Sequence, residues 1–270
     1  MASPTFALNH MVAPRLPLAQ FFALGKYVGV TQFEIRNDLS GNAILDGTSP
    51  QTVRSLANAA GVDLISINAL QRFNEWTVDR ESEAKALADY AAGCGAKALV
   101  LVPVNDGTGK GNGERQANLR TALKGLKPIL EAAGIIGLVE PLGFQICSLR
   151  SKREAAEAIA DIGGTGRFKL VHDTFHHVLS GEPQIYPDVT GLVHISGVDD
   201  QKVAVDEMLD PHRVMVTHGD RLNNIAQIRA LLAAGYVGPL SFEPFAASVH
   251  ASADASAMVR DSMNYVRNAL

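Results

Sequence analysis

Residues 168–173 of this chain read Phe-Lys-Leu-Val-His-Asp, a short and mostly apolar run that ends on an ionisable side chain. Three further runs have the same form, namely Gly137–Glu140, Gly191–His194 and Leu240–Glu243. Runs of this length and composition are typical of buried β-strands. Because an ionisable group at a buried position is costly unless another group compensates it, four such strand ends indicate one shared partner. A divalent cation is the simplest candidate.

The rest of the sequence alternates in the same way between short apolar runs and longer amphipathic stretches. Strands are predicted at about 5–9, 32–36, 64–69, 97–103, 135–140, 168–173, 191–195 and 239–243. Helices are predicted at about 17–28, 49–61, 80–95, 112–133, 150–162, 223–234 and 252–269, and 176–188 carries a helical pattern that Gly181 and Pro183 interrupt. Alternation of this kind predicts a parallel sheet. The first strand is not followed by the GxGxxG of a dinucleotide-binding sheet.

Eight strand–helix units in 270 residues favour one closed (β/α)₈ TIM barrel, which typically takes about 250 residues. No Pro-rich or Ser-rich linker divides the sequence. We therefore predict a single domain over residues 1–270, of α/β class.

Composition narrows the classes of partner. The net charge is −4, the basic residues are scattered, and 47% of residues are hydrophobic, which is typical of a globular protein that binds neither nucleic acid nor an anionic membrane. No apolar run approaches the roughly 20 residues that span a bilayer. The first residues do not show the positively charged segment followed by an apolar segment that is typical of a signal peptide. With Cys94 and Cys147 as the two cysteines, we expect the reducing cytoplasm.

The barrel prediction brings the four strand ends together, because the carboxyl ends of all strands open on one face. Glu140, Asp173, His194 and Glu243 would then converge from strands 5 to 8. One such residue alone more often bonds to a loop, whereas four on consecutive strands favour a metal site. Three carboxylates and one imidazole suit one Mn²⁺, Co²⁺, Mg²⁺ or Zn²⁺ without selecting among them.

Several other side chains are candidates for contact with a substrate. His176 follows Asp173 by three residues and is expected to reach a substrate oxygen. From the first strands, His10, Arg36 and Asn68 are expected to shape the other half of the pocket. Since Glu34 and Arg36 share a face of strand 2, Arg36 either holds a substrate hydroxyl or forms a structural ion pair with Glu34. Phe73 and Trp76 would form an apolar wall or anchor a loop.

On these residues the sequence resembles the xylose-isomerase-like barrel superfamily of sugar isomerases and epimerases, over essentially the whole chain. Within that group it most resembles the 2-keto-myo-inositol (inosose) isomerases of inositol catabolism. The matching segments are Val-Glu-Pro-Leu-Gly at 139–143, His-Asp-Thr-Phe-His-His at 172–177, Val-His-Ile-Ser-Gly-Val at 193–198 and Ser-Phe-Glu-Pro-Phe at 241–245.

The resemblance implies a metal-dependent isomerase that acts on a small sugar or cyclitol ketone. Glu140, Asp173, His194 and Glu243 would bind one divalent metal, with manganese among the candidates. The two glutamates would also act as catalytic acid and base on either side of the reacting carbons, so that the ketone moves by proton transfer through an enediolate. His176 would contact the substrate. Homo-oligomers are frequent in the resembling family.

The sequence departs from the ketose epimerases of this superfamily after strand 7. Those enzymes carry an arginine shortly after the strand-7 histidine, whereas this chain has Gly-Val-Asp-Asp at 197–200. Arg213 or Arg221 is expected to fill that space, and Arg221 is retained as a substrate-binding candidate. Inosose dehydratase, hydroxypyruvate isomerase and ketose 3-epimerase remain alternatives. An endonuclease IV-like nuclease is disfavoured, because it needs several metals and a basic DNA-binding face.

Overall fold

Eight parallel strands close into one barrel in the part of the chain that the computed structural model describes, residues 4–270. Each strand pairs with the next in sequence, and the last pairs with the first. This confirms the predicted (β/α)₈ barrel; residues 1–3 lie outside the described range. The strands are β1 (Phe6–Asn9), β2 (Gln32–Arg36), β3 (Asp63–Gln71), β4 (Ala98–Val102), β5 (Ile136–Val139), β6 (Phe168–Asp173), β7 (Thr190–Ile195) and β8 (Leu240–Phe242).

Helices follow the strands and surround the barrel. The sixth helical segment is shorter than the pattern at 176–188 predicts, because it ends where Gly181 takes a left-handed backbone with φ of 67°. The helices are α1 (Leu18–Tyr27), α2 (Pro50–Ala60), α3 (Val78–Cys94), α4 (Glu114–Ala133), α5 (Lys152–Asp161), α6 (Thr174–Ser180), α7 (Asn224–Ala233), α8 (Ala247–His250) and α9 (Ala255–Ala269). The last predicted helix, 252–269, is present as α9, and a short helix that the sequence pattern did not predict, α8, precedes it.

Helix α2 shows how local sequence sets these boundaries. The Ser49 hydroxyl accepts a hydrogen bond from the backbone N–H of Thr52 at 3.2 Å, and Pro50 occupies the first turn, where its missing N–H costs nothing. The helix ends at Gly61, whose φ of 66° is readily available to glycine. The chain therefore turns into β3 at the residue that the sequence predicts.

The alternation of side chains along each strand separates two apolar cores. Residues such as Phe33, Val193 and Phe242 point outward and pack in the large cluster between the sheet and the helices. A separate small cluster lies on the other face of the strands and includes Leu138, Val171 and Leu192. Each of these three residues precedes a predicted metal ligand by two positions, so it shares that ligand's face. The barrel interior is therefore filled with apolar side chains one layer below the ligands.

Within residues 4–270, no helix combines the length and the apolar character that crossing a membrane requires.

Candidate active site

The four strand-end residues come together at the carboxyl end of the barrel. Glu140 directly follows β5, Asp173 is the last residue of β6, His194 lies near the end of β7 and Glu243 directly follows β8. One donor atom from each lies within 4.8 Å of the other three, and all four residues are buried. Nδ1 of His194 is 2.9 Å from Glu140 Oε1 and 3.2 Å from Glu243 Oε2. Four donors that can bind a metal thus surround one point.

Glu34 fixes the orientation of the His194 ring by contacting the ring nitrogen that faces away from Glu140 and Glu243. The other ring nitrogen, Nε2, is 3.1 Å from Oε1 and 3.2 Å from Oε2 of Glu34, which is itself fully buried in β2. Glu34 accepts further hydrogen bonds from the hydroxyls of Ser66 and Ser241 and from the amide of Asn68. A carboxylate that accepts a hydrogen bond from Nε2–H keeps the proton on that nitrogen and leaves Nδ1 free to bind a metal, which is the usual arrangement around metal-binding histidines.

Buried charge at this site fits a divalent cation. Four buried carboxylates face two buried guanidinium groups; the carboxylates belong to Glu34, Glu140, Asp173 and Glu243, and the guanidinium groups to Arg36 and Arg213. With all six ionised, two negative charges remain, which one divalent cation would neutralise. Oxygen donors with one imidazole suit Mg²⁺, Mn²⁺, Co²⁺ and Zn²⁺. Among residues 4–270, no second group of three or more His, Cys, Asp or Glu has such geometry.

The two arginines hold the carboxylates in place. Arg213 Nη2 donates to Asp173 Oδ2 at 2.6 Å and to Glu243 Oε2 at 3.0 Å. Arg36 Nη1 donates to Glu243 Oε1 at 2.9 Å, while its other nitrogens bind Asp38 at 2.8 and 2.7 Å. Both oxygens of Glu243 are therefore occupied by arginine, whereas Glu140 Oε2 makes no hydrogen bond within the described residues.

These contacts separate the acidities of the two glutamates. Burial raises the pKa of Glu140, and His194 offsets that effect only in part. Burial also acts to raise the pKa of Glu243, but His194, Arg213 and Arg36 together hold that pKa well below its usual range. For His194, burial acts to lower the pKa, yet the carboxylates of Glu243, Glu34 and Glu140 raise it well above its usual value. Without a metal, His194 is therefore the group that carries a proton.

A cavity of about 230 Å³ lies next to this cluster and is lined by two of its members, Glu140 and Glu243. Three of the predicted substrate-binding residues, Arg36, Asn68 and His176, line it together with Glu140 and Glu243. Nδ1 of His176 is buried and has no hydrogen-bond partner within residues 4–270. The cavity is thus a polar chamber next to the donor cluster, and the His176 side chain is among those that line it.

The other two predicted substrate-binding residues lie outside this chamber. His10 is buried against Phe21 with ring centroids 4.3 Å apart, and its Nε2 is 2.8 Å from the backbone oxygen of Leu16. Burial lowers the pKa of His10 to about 4. Arg221 binds the backbone oxygens of Asp200 and Val203 and so ties down the loop after β7. Both side chains thus contact other parts of the chain and do not reach the chamber.

The structure also shows the positions of three further groups of residues for which the sequence allowed two alternatives. Of the two arginines considered, Arg213 reaches the cluster. Arg36 and Glu34 both face inward, but Arg36 binds Glu243 and Asp38, so the two side chains do not form the ion pair that was one of the alternatives. Trp76 packs on Gly125 of α4, where a Cβ would lie 2.3 Å from the indole, and acts as a loop anchor. The aromatic residues that line the chamber are Phe144 and Phe245.

Nothing local in the sequence marks Phe144 and Phe245 as cavity residues. Their rings pack against charged or polar groups: Phe144 lies edge-on to His176 with centroids 5.0 Å apart, and the Arg213 guanidinium lies 4.7 Å from the centre of the Phe245 ring. The one available signal is their position, since each follows a strand-end glutamate by a few residues. Aromatic walls of this kind restrict water and fix the arginine.

Comparison with known proteins gives a consistent result. The sequence pattern of the family described as xylose isomerase-like TIM barrel matches residues 22–269. A crystal structure of a xylose isomerase domain containing protein from Salmonella typhimurium LT2 is 34% identical, with a TM-score of 0.89 over 98% of this chain and 97% of that chain. A search of curated proteins finds no match.

Two more distant structures share the fold. The IOLI protein, solved with a bound zinc atom, is 20% identical, with a TM-score of 0.87 over 98% of this chain and 97% of that chain. A D-allulose 3-epimerase from Methylomonas sp., solved with D-allulose, is 16% identical, with a TM-score of 0.74 over 100% of this chain and 98% of that chain. At these identities the likeness shows the barrel alone.

Proposed function

This chain belongs to the xylose isomerase-like TIM barrel family, and we propose that it is a divalent-metal-dependent isomerase of a sugar or cyclitol ketone. The observation that carries the proposal is the arrangement at His194. Its Nδ1 faces three carboxylates, while Glu34 holds its Nε2. An imidazole set in this way, beside two surplus buried negative charges, is prepared for a cation.

Glu140, Asp173, His194 and Glu243 would hold the metal. A divalent cation at this place would act as a Lewis acid that makes the carbon-bound proton beside the ketone more acidic. The donor set admits Mn²⁺, Co²⁺, Mg²⁺ or Zn²⁺, and Mn²⁺ is the first cation to test.

Proton transfer is assigned to the two glutamates that line the chamber. Glu140 has an oxygen with no hydrogen bond in the described chain, so it is the better placed to take the proton from carbon. Glu243 would act as the second acid–base group, although its oxygens are already engaged by Arg36 and Arg213. Positioned groups of this type typically contribute about 10²–10⁴-fold to the rate.

Two further residues would orient the substrate. His176 would bind a substrate oxygen through its imidazole, which lines the chamber. Asn68 donates its amide N–H₂ to Glu34 and to Ser66, which leaves its carbonyl oxygen available to accept from a substrate hydroxyl. Arg36 would act indirectly, since its donors already bind Glu243 and Asp38. His10 and Arg221 have no place in this proposal, because both are engaged elsewhere.

The substrate that we propose is 2-keto-myo-inositol. The sequence motifs at 139–143, 172–177, 193–198 and 241–245 support it, because they carry the resemblance to the inosose isomerases. A second candidate is ketose 3-epimerisation, because Arg213 reaches the cluster from the loop after β7, where the resembling epimerases carry an arginine. Both reactions start with removal of a proton beside a ketone.

The test is a proton NMR time course in D₂O with metal-stripped enzyme reloaded with Mn²⁺. We expect 2-keto-myo-inositol to lose its proton signal at the reacting carbon as solvent deuterium enters, and the ketone to migrate without loss of water. Loss of one water would identify a dehydratase instead, and turnover of D-allulose or hydroxypyruvate but not the cyclitol would change the substrate. Full activity in the chelator-treated enzyme would refute the metal-dependent mechanism.

A further inference from the structure

A second cleft adjoins the catalytic chamber at the mouth of the barrel. It has a volume of about 330 Å³ and lies between the loop after β5 and the loop after β7. It shares the lining residues Asn105, Phe144 and Asp210 with the chamber, so the two spaces are direct neighbours. Its lining is mainly apolar: Phe144, Ile146, Leu179, Met208, Leu209 and Pro211.

Two large hydrophobic side chains on its walls are left open to solvent. Ile146 is 48% exposed and Leu209 is 54% exposed, and they come from loops that are more than 60 residues apart in the sequence. A single exposed leucine has no special meaning. Two exposed apolar side chains that line the same cleft, however, form an apolar surface that can bind a ligand.

The charged side chains that line this cleft disfavour the binding of an anion. No Lys, Arg or His is among the described residues that line it, whereas Asp206 and Asp210 are. Asp210 forms an ion pair of 3.2 Å with Arg213, and Arg213 lines the chamber but not the cleft. A phosphate or carboxylate in the cleft would meet the carboxylate of Asp206, and no lining cation would compensate it. A neutral, apolar group would meet Ile146 and Leu209.

We propose that this cleft binds an apolar aryl or alkyl substituent carried by the substrate. The preferred substrate is then a keto-polyol joined to an apolar group, not a free or phosphorylated sugar. The inference rests on the proposed function, because the polar end of the ligand occupies the chamber of Glu140 and His176. Phe144 connects the two parts, since its ring contacts His176 and also lines the cleft.

The experiment measures binding, and it does not depend on turnover. Isothermal titration calorimetry of the full chain loaded with Mn²⁺ compares 2-keto-myo-inositol with its mono-O-benzyl and mono-O-carboxymethyl ethers. Each ether is prepared at more than one ring position. The benzyl ether is expected to bind about tenfold more tightly than the parent, which corresponds to burial of roughly 55 Å² of apolar surface. The carboxymethyl ether is expected to bind more weakly than the parent.

A pair of variants locates the effect. Leu209→Asp is expected to remove the tenfold advantage of the benzyl ether and to leave binding of the parent unchanged. Val205→Asp is the matched control, because Val205 is 42% exposed in the same loop but does not line the cleft. The control is expected to keep the advantage. Sedimentation velocity on both variants reports the oligomeric state.

Three results would overturn the inference. These are a benzyl ether that binds no better than the parent or not at all, an advantage that survives Leu209→Asp, and a change of oligomeric state in Leu209→Asp with unaltered benzyl binding. The last would assign the cleft to a second copy of the chain. Failure of the proposed function is a separate readout: deuterium would not enter the parent ketone, whatever the benzyl ether does.

Discussion

The two halves of the barrel contribute different kinds of group to the same site. Strands β5 to β8 supply the four residues whose donor atoms face one another, at Glu140, Asp173, His194 and Glu243. Strands β1 to β3 supply Asn9, Glu34, Arg36 and Asn68, which are bonded to those residues or to one another. The second half thus provides the donor cluster, and the first half, together with Arg213 from the loop after β7, holds it in place.

The largest effect is expected in the second half. Glu140→Gln removes the carboxylate that has a free oxygen, and we expect turnover to fall by about 10²–10⁴-fold. Steady-state kinetics with saturating Mn²⁺ measures it. Glu131→Gln, on the exposed face of α4, serves as the control and should behave as the unmodified enzyme. Turnover within threefold of the unmodified enzyme would remove Glu140 from the acid–base role.

Arg213 tests how much the buried carboxylates depend on an arginine. In metal-free protein, Arg213→Met leaves Asp173 and Glu243 without their shared donor, and the free energy of unfolding should fall by about 3–5 kcal/mol. Urea denaturation with chelator measures this change. With Mn²⁺ present the loss should be smaller, because the cation neutralises the same carboxylates.

The matched control is Arg72→Met. Arg72 pairs with Glu75 at the surface, where its side chain is 35% exposed, and its loss should cost less than about 1 kcal/mol. Equal losses for both variants would contradict the buried role of Arg213. An Arg213→Met loss that Mn²⁺ leaves unchanged would separate the arginine from the metal site.

Glu34 tests the holding role of the first half directly. Glu34→Gln keeps the volume but replaces the charged carboxylate beside His194 Nε2 with a neutral amide that has one acceptor oxygen, so the ring is held less firmly and is less basic. Affinity for Mn²⁺ or Zn²⁺ should fall by about 10–100-fold. Calorimetric titration of the metal measures this, with Glu131→Gln again unchanged. Unaltered affinity would show that the first half does not position the imidazole.

The smallest effect concerns the proton on His194. Because neighbouring carboxylates raise its pKa well above 6.5, the metal-free protein carries this proton at pH 7, and a metal must displace it from Nδ1. Binding should therefore release about one proton. Affinity should rise with pH up to the pKa of His194 and level off above it. Titrations in two buffers of different ionisation enthalpy count the proton, and a count of zero at pH 7 would contradict the assignment.

Much of the fold and the donor set could be predicted from the sequence. Period-two alternation places Leu138 and Glu140, or Val171 and Asp173, on one face of a strand, and the carboxyl ends of parallel strands must meet in a closed barrel. Neither step needs knowledge of the loops. The same reasoning placed Glu34 and Arg36 on the inner face together, and it is confirmed for both.

Residues beyond the strand ends were decided by the tertiary structure alone. His10 is one residue past β1, yet it turns away and stacks on Phe21 of α1. Arg213 and Arg221 lie in one long loop, and only the path of that loop determines that Arg213 reaches Asp173 while Arg221 binds backbone oxygens. The apolar cleft under Ile146 and Leu209 depends on two such loops at once.

The physical reason for this division is the range of the interactions. Alternation along a strand and the parallel pairing of strands are short-range or repeating rules, so the sequence by itself determined the barrel and the four residues that close β5 to β8. The direction of the His194 ring, the choice of arginine and the shape of the chamber result from contacts between segments far apart in the chain. Only the folded structure brings those segments into contact.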